Sequence, residues 1–226
     1  MARKYRVRNR DTLREIAERF YREAECFEKL ALYNGILDPD RIGIEQWIEI
    51  PSKRELLGAS LPRGRLVRPH GLEEILSTFG DIYDFILDDG TLDPRWESEY
   101  LARTQLPFPI PLSWEPSTVV RSLYCHSRLG ELFAEVFSVL DIEGLRGAIR
   151  TYGGCFNFRS KRTHSKLSSH SWGISIDLNP ETNGPGEKGD MEEAVVNVFR
   201  SFGFEWGGDW SYRSKDPMHF QFCTGY

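Results

Sequence analysis

Along the first fifty residues the spacing of apolar side chains switches from a period of 2 to the helical period and back. Tyr5 and Val7 alternate with Lys4, Arg6, Arg8 and Arg10, the pattern of a strand with one buried face. The basic row reads as its solvated outer face. Leu13, Ile16, Ala17 and Phe20 then recur at helical spacing. Thr12 with Glu15 three residues on makes a capping box for this helix, and Asp11 is an equally good cap. Phe27, Leu30 and Ala31 mark a second helix that Asn34-Gly35 stops. Ile48 and Ile50 alternate with Trp47 and Glu49 in a closing strand that ends at Pro51. The predicted unit is β-α-α-β and occupies residues 1–52.

Residues 53–70 are rich in Lys, Arg, Pro and Gly and read as a linker to a second domain over residues 71–226. Leu72, Ile75, Leu76 and Phe79 predict a short helix. The stretch from Asp88 to Pro116 holds Pro94, Pro107, Pro109, Pro111 and Pro116 with little periodicity, which predicts a loop wrapped on the domain. Leu129, Leu132, Phe133, Val136, Phe137 and Leu140 predict an amphipathic helix. Val195, Val198, Phe199 and Phe202 predict another, stopped by Gly203. Short strands are predicted at Ile174 to Leu178, Phe204 to Trp206 and Met218 to Phe222. That mixture gives an α+β fold with a small, mainly antiparallel sheet. No internal repeat interrupts it.

Composition adds little beyond permission. With 40% hydrophobic and 28% charged residues in 226, the chain can build ordinary cores without disulfides. A net charge of -5 argues against a nucleic-acid partner, which calls for a basic surface. Cys26, Cys125, Cys155 and Cys223 are scattered and read as buried thiols of a reducing compartment. No apolar stretch follows the basic N-terminus, and no run is long enough for a bilayer. The expectation is synthesis in the cytoplasm without a signal peptide and no membrane insertion.

Two segments carry candidate chemistry. In Ser168-Ser169-His170-Ser171-Trp172-Gly173-Ile174-Ser175-Ile176-Asp177, alternation places Ile174, Ile176 and Leu178 on one face of a strand and Ser175 and Asp177 on the other. In Asp216-Pro217-Met218-His219-Phe220-Gln221-Phe222, Phe220 and Phe222 face one way, His219 and Gln221 the other. If the strands are neighbours, Asp177 and His219 meet, and His170 closes over them from the preceding turn. Two imidazoles and a carboxylate suit zinc and leave a fourth position open, as catalytic sites do. A hydrolytic reaction also needs a base, for which Asp216 is the natural candidate. Each histidine taken alone is more often a structural residue, and His70, His126 and His164 are read that way. A serine hydrolase using Ser168 or Ser169 with His170 and Asp177 is a competing reading, but no G-x-S-x-G elbow is present.

These segments resemble known families. Tyr5-Arg6-Val7, Asp11-Thr12-Leu13, Ile16-Ala17, Asn34 and Gln46-Trp47-Ile48-Glu49-Ile50-Pro51 resemble a LysM module over residues 5 to 51. Such modules bind the N-acetylglucosamine-containing glycan of peptidoglycan or chitin. Where that family has Pro-Gly-Gln before the last strand, this chain has Ile44-Glu45-Gln46. Ser-x-His-x-x-Gly-x-x-x-Asp followed by Asp-x-Met-His-Phe is similar to the D-alanyl-D-alanine carboxypeptidase and L-alanyl-D-glutamate endopeptidase group of zinc metallopeptidases. That group includes VanY-type enzymes and phage endolysins. The similarity runs from about Gly154 to Phe222. It implies zinc held by His170, Asp177 and His219, Asp216 as catalytic base, and an upstream arginine that contacts substrate or the developing oxyanion. Arg159 matches that arginine best, with Arg162 close by.

The two resemblances together imply a peptidoglycan hydrolase acting on peptide stems. A glycan-binding module favours L-alanyl-D-glutamate cleavage, near the sugar backbone. A D-alanyl-D-alanine carboxypeptidase would need a cation for the free carboxylate, with Arg159, Arg162 or Lys166 available. A peptidoglycan-binding or phage structural protein without catalysis is the non-enzymatic alternative. A phage or prophage origin would bring a protein without a signal peptide to the cell wall.

Overall fold

The computed structural model describes residues 3–36, 39–51, 53, 56, 66–161, 166–211 and 213–226. Contacts divide the chain into two compact units, residues 1–65 and 66–226. Most of the stretch read as linker, and Arg162 and His164, lie outside the described residues.

In the first unit, β1 (Arg3–Arg6) and β2 (Trp47–Ile50) pair antiparallel, with Tyr5 opposite Ile48. Between them come α1 (Leu13–Tyr21) and α2 (Phe27–Tyr33). Thr12 caps α1, and its capping box with Glu15 is complete. Asp11 instead accepts the Tyr5 hydroxyl at 2.6 Å and the Arg8 N–H at 2.8 Å. Val7, Leu13, Ile16, Ala17, Leu30 and Ile48 form the centre of a separate small core. Asn34 does more than stop α2. Its amide donates to Leu30 and Glu49 carbonyls and accepts the Glu49 N–H, so one side chain ties the helix end to β2.

The second unit is α+β. Helix α3 (Gly71–Phe79) opens it. The predicted loop over residues 88–116 is instead α4 (Pro94–Tyr100) followed by an 11-residue strand, β3 (Leu101–Pro111), paired antiparallel with β4 (Val119–His126). Proline removes a ladder donor, which argues against a central strand but not an edge. Here the register shifts between Gln105 and Ile110, so Pro107 and Pro109 lie in the irregular part of the ladder. Asp93 accepts the Arg95 N–H and Pro94 starts α4, where no amide proton is needed.

The sheet that positions the site has order β5-β6-β8-β7, all antiparallel: β5 (Tyr152–Gly154), β6 (Ser175–Leu178), β8 (His219–Gln221) and β7 (Glu205–Trp206). Helices α5 (Gly130–Ile142) and α6 (Glu193–Ser201) complete the unit. Phe199 of α6 stacks on Phe220 of β8 at 4.2 Å and meets Phe137 of α5 edge-on. Ile176, Leu178 and Phe220 are fully buried in this core. Burying each such side chain contributes roughly 1.5–3 kcal/mol, which fixes the register of a sheet with short strands. The four cysteines are buried free thiols.

Candidate metal centre

Register puts the chemistry together. Asp177 of β6 pairs directly with His219 of β8, and Ser175 with Gln221. All four are buried on the face opposite Ile176 and Phe220. His170 arrives on a 3-10 turn, Ser169–Trp172, whose N-terminus Ser168 caps through its hydroxyl. Trp172 anchors that turn, fully buried and donating its indole N–H to the Gly80 carbonyl at 3.1 Å. Gly173 ends the turn at φ +67°, and a Cβ there would lie 2.8 Å from the His126 nitrogen. The chain therefore needs glycine at this point for both conformation and space.

Three ligand atoms converge. His219 Nδ1 lies 2.9 Å from Asp177 Oδ1, His170 Nε2 lies 3.2 Å from the same oxygen, and the two ring nitrogens are 3.1 Å apart. Among the described residues, this is the one group of three buried His, Cys, Asp or Glu side chains close enough to share a metal. The far side of each ring is already engaged. His170 Nδ1 faces the Cys155 carbonyl at 2.6 Å, an acceptor only, so that nitrogen carries the proton. His219 Nε2 faces Gln221 Oε1 at 3.2 Å. With both outer nitrogens donating, two imidazole lone pairs and a carboxylate oxygen point at one another. Such an arrangement calls for a cation.

The fit to zinc is geometric as well as chemical. Donor atoms 2.9–3.2 Å apart match the spacing expected of ligands that would each sit about 2 Å from a zinc ion, with a fourth position left open. The three groups also shift one another electrostatically. Burial alone would push the Asp177 carboxyl up, but the two imidazoles beside it outweigh burial and hold it well below the usual carboxylate range. Burial likewise pushes His219 down, and the hydrogen bond and charge of Asp177 outweigh it, leaving His219 raised.

Residues 161–222 match the family model described as D-alanyl-D-alanine carboxypeptidase. The match spans just over a quarter of the chain and contains His170, Asp177, Asp216 and His219. It supports a peptidase of that type in the second unit. Curated proteins and solved structures give no match to the chain.

Asp216 sits one turn before His219. Its carbonyl accepts the His219 N–H at 3.0 Å, its own N–H donates to the Gly207 carbonyl at 2.9 Å, and its charge helps to raise His219. Gly207 is required for this approach, since a Cβ there would meet the Asp216 carbonyl at 2.4 Å. Arg159 is half-buried, and its backbone is pinned to the turn that carries His170. Its N–H donates to the Ser171 hydroxyl, and its carbonyl accepts from that hydroxyl and from the Ser168 N–H. Lys166 lies over the Tyr226 ring.

His126 and His70 lie outside the cluster. His126 Nε2 donates to the Phe79 carbonyl and its Nδ1 accepts from the Arg128 N–H. His70 Nδ1 meets the Thr224 hydroxyl. The serine pairing with His170 is not formed: Ser168 spends its oxygen on the cap, and the buried Ser169 hydroxyl meets Ser175, Gln221 and, at 3.4 Å, His219 Nε2. Sequence reasoning placed Ser175 and Gln221 on the open face without giving them a role, read Ser169 only as a candidate nucleophile, and missed Glu205 and the Cys155 carbonyl. For Gln221 the signal was present, since alternation places it on the face of His219. For the carbonyl no side-chain pattern exists to be read. Among the described residues no helix is long and apolar enough to cross a membrane.

Proposed function

We propose that the protein is a zinc-dependent peptidase of peptidoglycan, with zinc held by His170, Asp177 and His219. The observation that carries this reading is the convergence of three lone-pair donors whose outer nitrogens are already committed. Zinc, when bound, supplies Lewis acidity that activates water and polarises a carbonyl near neutral pH. The chain's own groups do the rest. Asp216 takes the proton of the attacking water and hands it to the leaving amine. Arg159 binds the substrate carbonyl oxygen as negative charge develops on it. The buried face behind the ligands keeps them aligned.

The first unit serves as a LysM-type glycan-binding module. Its β-α-α-β order, completed capping box and Asn34 bridge support that role. Tethered to glycan, the peptidase meets peptide stems at raised local concentration. The bond we favour is L-alanyl-D-glutamate, which lies next to the sugar backbone. The description of the matching family favours a second reading, removal of terminal D-alanine. Digestion of purified muropeptides followed by mass spectrometry separates the two. Cleavage between L-alanine and D-glutamate is expected, and loss of D-alanine alone establishes the carboxypeptidase.

The mechanism has its own test in Asp216→Ala. Zinc content should stay at one per chain, because this carboxylate is assigned to proton transfer and not to the metal. Hydrolysis should fall by roughly 10²–10⁴-fold, the usual contribution of a general base. Near-normal turnover with zinc bound would remove Asp216 from the mechanism.

A further inference from the structure

The metal-facing nitrogen of His219 is set by groups that never touch the metal. His219 Nε2 faces Gln221 Oε1 at 3.2 Å. An amide can present either its oxygen or its nitrogen, so something must decide which end faces the ring. Here Glu205 and the Cys223 carbonyl decide. Gln221 Nε2 donates to Glu205 Oε2 at 3.1 Å and to the Cys223 carbonyl at 3.3 Å. Both partners accept only, so the amide nitrogen belongs on their side and the amide oxygen on the side of His219. Ser169 agrees: its hydroxyl accepts from Ser175 at 2.6 Å and donates to the same Gln221 oxygen at 3.1 Å, the shorter of its two remaining contacts, with His219 Nε2 at 3.4 Å. Glu205 is itself fixed, since its other oxygen accepts the Trp210 indole N–H at 2.9 Å. That indole also lies against the His219 ring, 5.4 Å between centroids.

We propose that Glu205 and Gln221 are positioning residues that act in series on His219. The carboxylate orients the amide, the amide oxygen holds the proton on Nε2, and Nδ1 is left as a bare lone pair aimed at the metal. Metal-binding histidines commonly give their second N–H to a carboxylate directly. In this protein an amide stands between the two, and Glu205 passes its influence through it. Register explains why the sequence can do this. Gln221 pairs with Ser175 on one side and Glu205 on the other, so one β8 residue reaches both the site and β7.

This inference rests on the zinc reading above, and the experiment separates the two. Zinc affinity is measured by chelator competition for the full chain, for Gln221→Met, and for the double variant Gln221→Glu with Glu205→Gln. Gln221→Met keeps volume but removes the acceptor, and should weaken zinc about 10–100-fold, the usual effect of losing such a partner. The double variant exchanges the two groups: a carboxylate accepts from Nε2 directly, and the new amide at 205 donates to it. Its affinity should return to the wild-type value or exceed it. A merely structural role for Gln221 would not be rescued by that exchange. If wild type binds zinc and Gln221→Met binds it within about twofold, or if the double variant is no better than Gln221→Met, the relay is wrong. If wild type itself holds no zinc, the metal reading fails, and the relay's role toward a metal fails with it.

Discussion

Histidine has two opposite uses in the second unit, and the difference lies in what faces each nitrogen. His170 and His219 turn one nitrogen to an acceptor and leave the other among lone pairs. His126 has both nitrogens satisfied, one donating to Phe79 and one accepting from Arg128. A proton added to Nδ1 of His126 would face the Arg128 N–H, and burial, the larger effect, pushes its pKa down to about 4. The sign follows from linkage. The unfolded chain binds this proton below about pH 6.5 and the folded chain only near 4, so stability is intact at neutral pH and falls as pH drops through that window. Between pH 7 and 5 the loss from this one group is about 2 kcal/mol. Urea unfolding with chelator present should show that loss in the wild type and a flatter profile in His126→Gln. Equal losses in the two proteins would clear His126 of any part in acid sensitivity. The proposed ligands were legible in the sequence because strand alternation puts Asp177 and His219 on one face and the family resemblance adds His170. Of their supports, Ser175 and Gln221 were placed on that face, but the Cys155 carbonyl was not, because a backbone carbonyl leaves no mark in a sequence.

At the scale of elements, period 2 and period 3.6 located α1, α2, α3, α5, α6 and the site strands β6, β7 and β8, missed β4 and the short β5, and failed where proline broke the pattern. Leu101 to Pro111 holds three prolines within its last five positions, and the reading of a loop followed from counting them. The structure keeps the strand because its ladder shifts register there and because it has a single named partner, β4. The opposite case is the turn before β2. Glu45 sits at φ +72°, the left-handed region, at the place where the resembling family carries glycine. The turn survives because the Val7 carbonyl accepts the Glu45 N–H at 2.8 Å and the Gln46 carbonyl accepts the Val7 N–H at 2.8 Å. A side chain in that conformation costs about 1 kcal/mol, while its ion pair with Arg6 is exposed and contributes little. Glu45→Gly should therefore stabilise the first unit by roughly 0.5–1 kcal/mol, measured by chemical unfolding of that unit's transition. A destabilised variant would show that the Arg6 pair, and not the backbone, governs this turn.

For the whole molecule, two separate cores mean that each unit keeps its chemistry without the other. The first is centred on Leu13, Ile16, Leu30 and Ile48, the second on the aromatic cluster around Phe199 and Phe220. The proposed metal ligands, their supports and Asp216 all come from the second unit. A chain reduced to residues 66–226 should bind one zinc per chain and cut small soluble muropeptides at the rate of the full protein. On intact sacculi the same truncation should slow release of fragments, because tethering raises the local concentration of stems without adding a contact in the site. Gains of this kind reach about 10²–10⁴-fold for well-matched linkers and disappear when geometry forbids both contacts at once. Zinc content of the truncated chain guards against a trivial result, since a misfolded domain would lose the metal as well. If that chain holds zinc and digests sacculi as fast as the full protein, the first unit does not tether the enzyme to glycan, and its role must be sought in another partner.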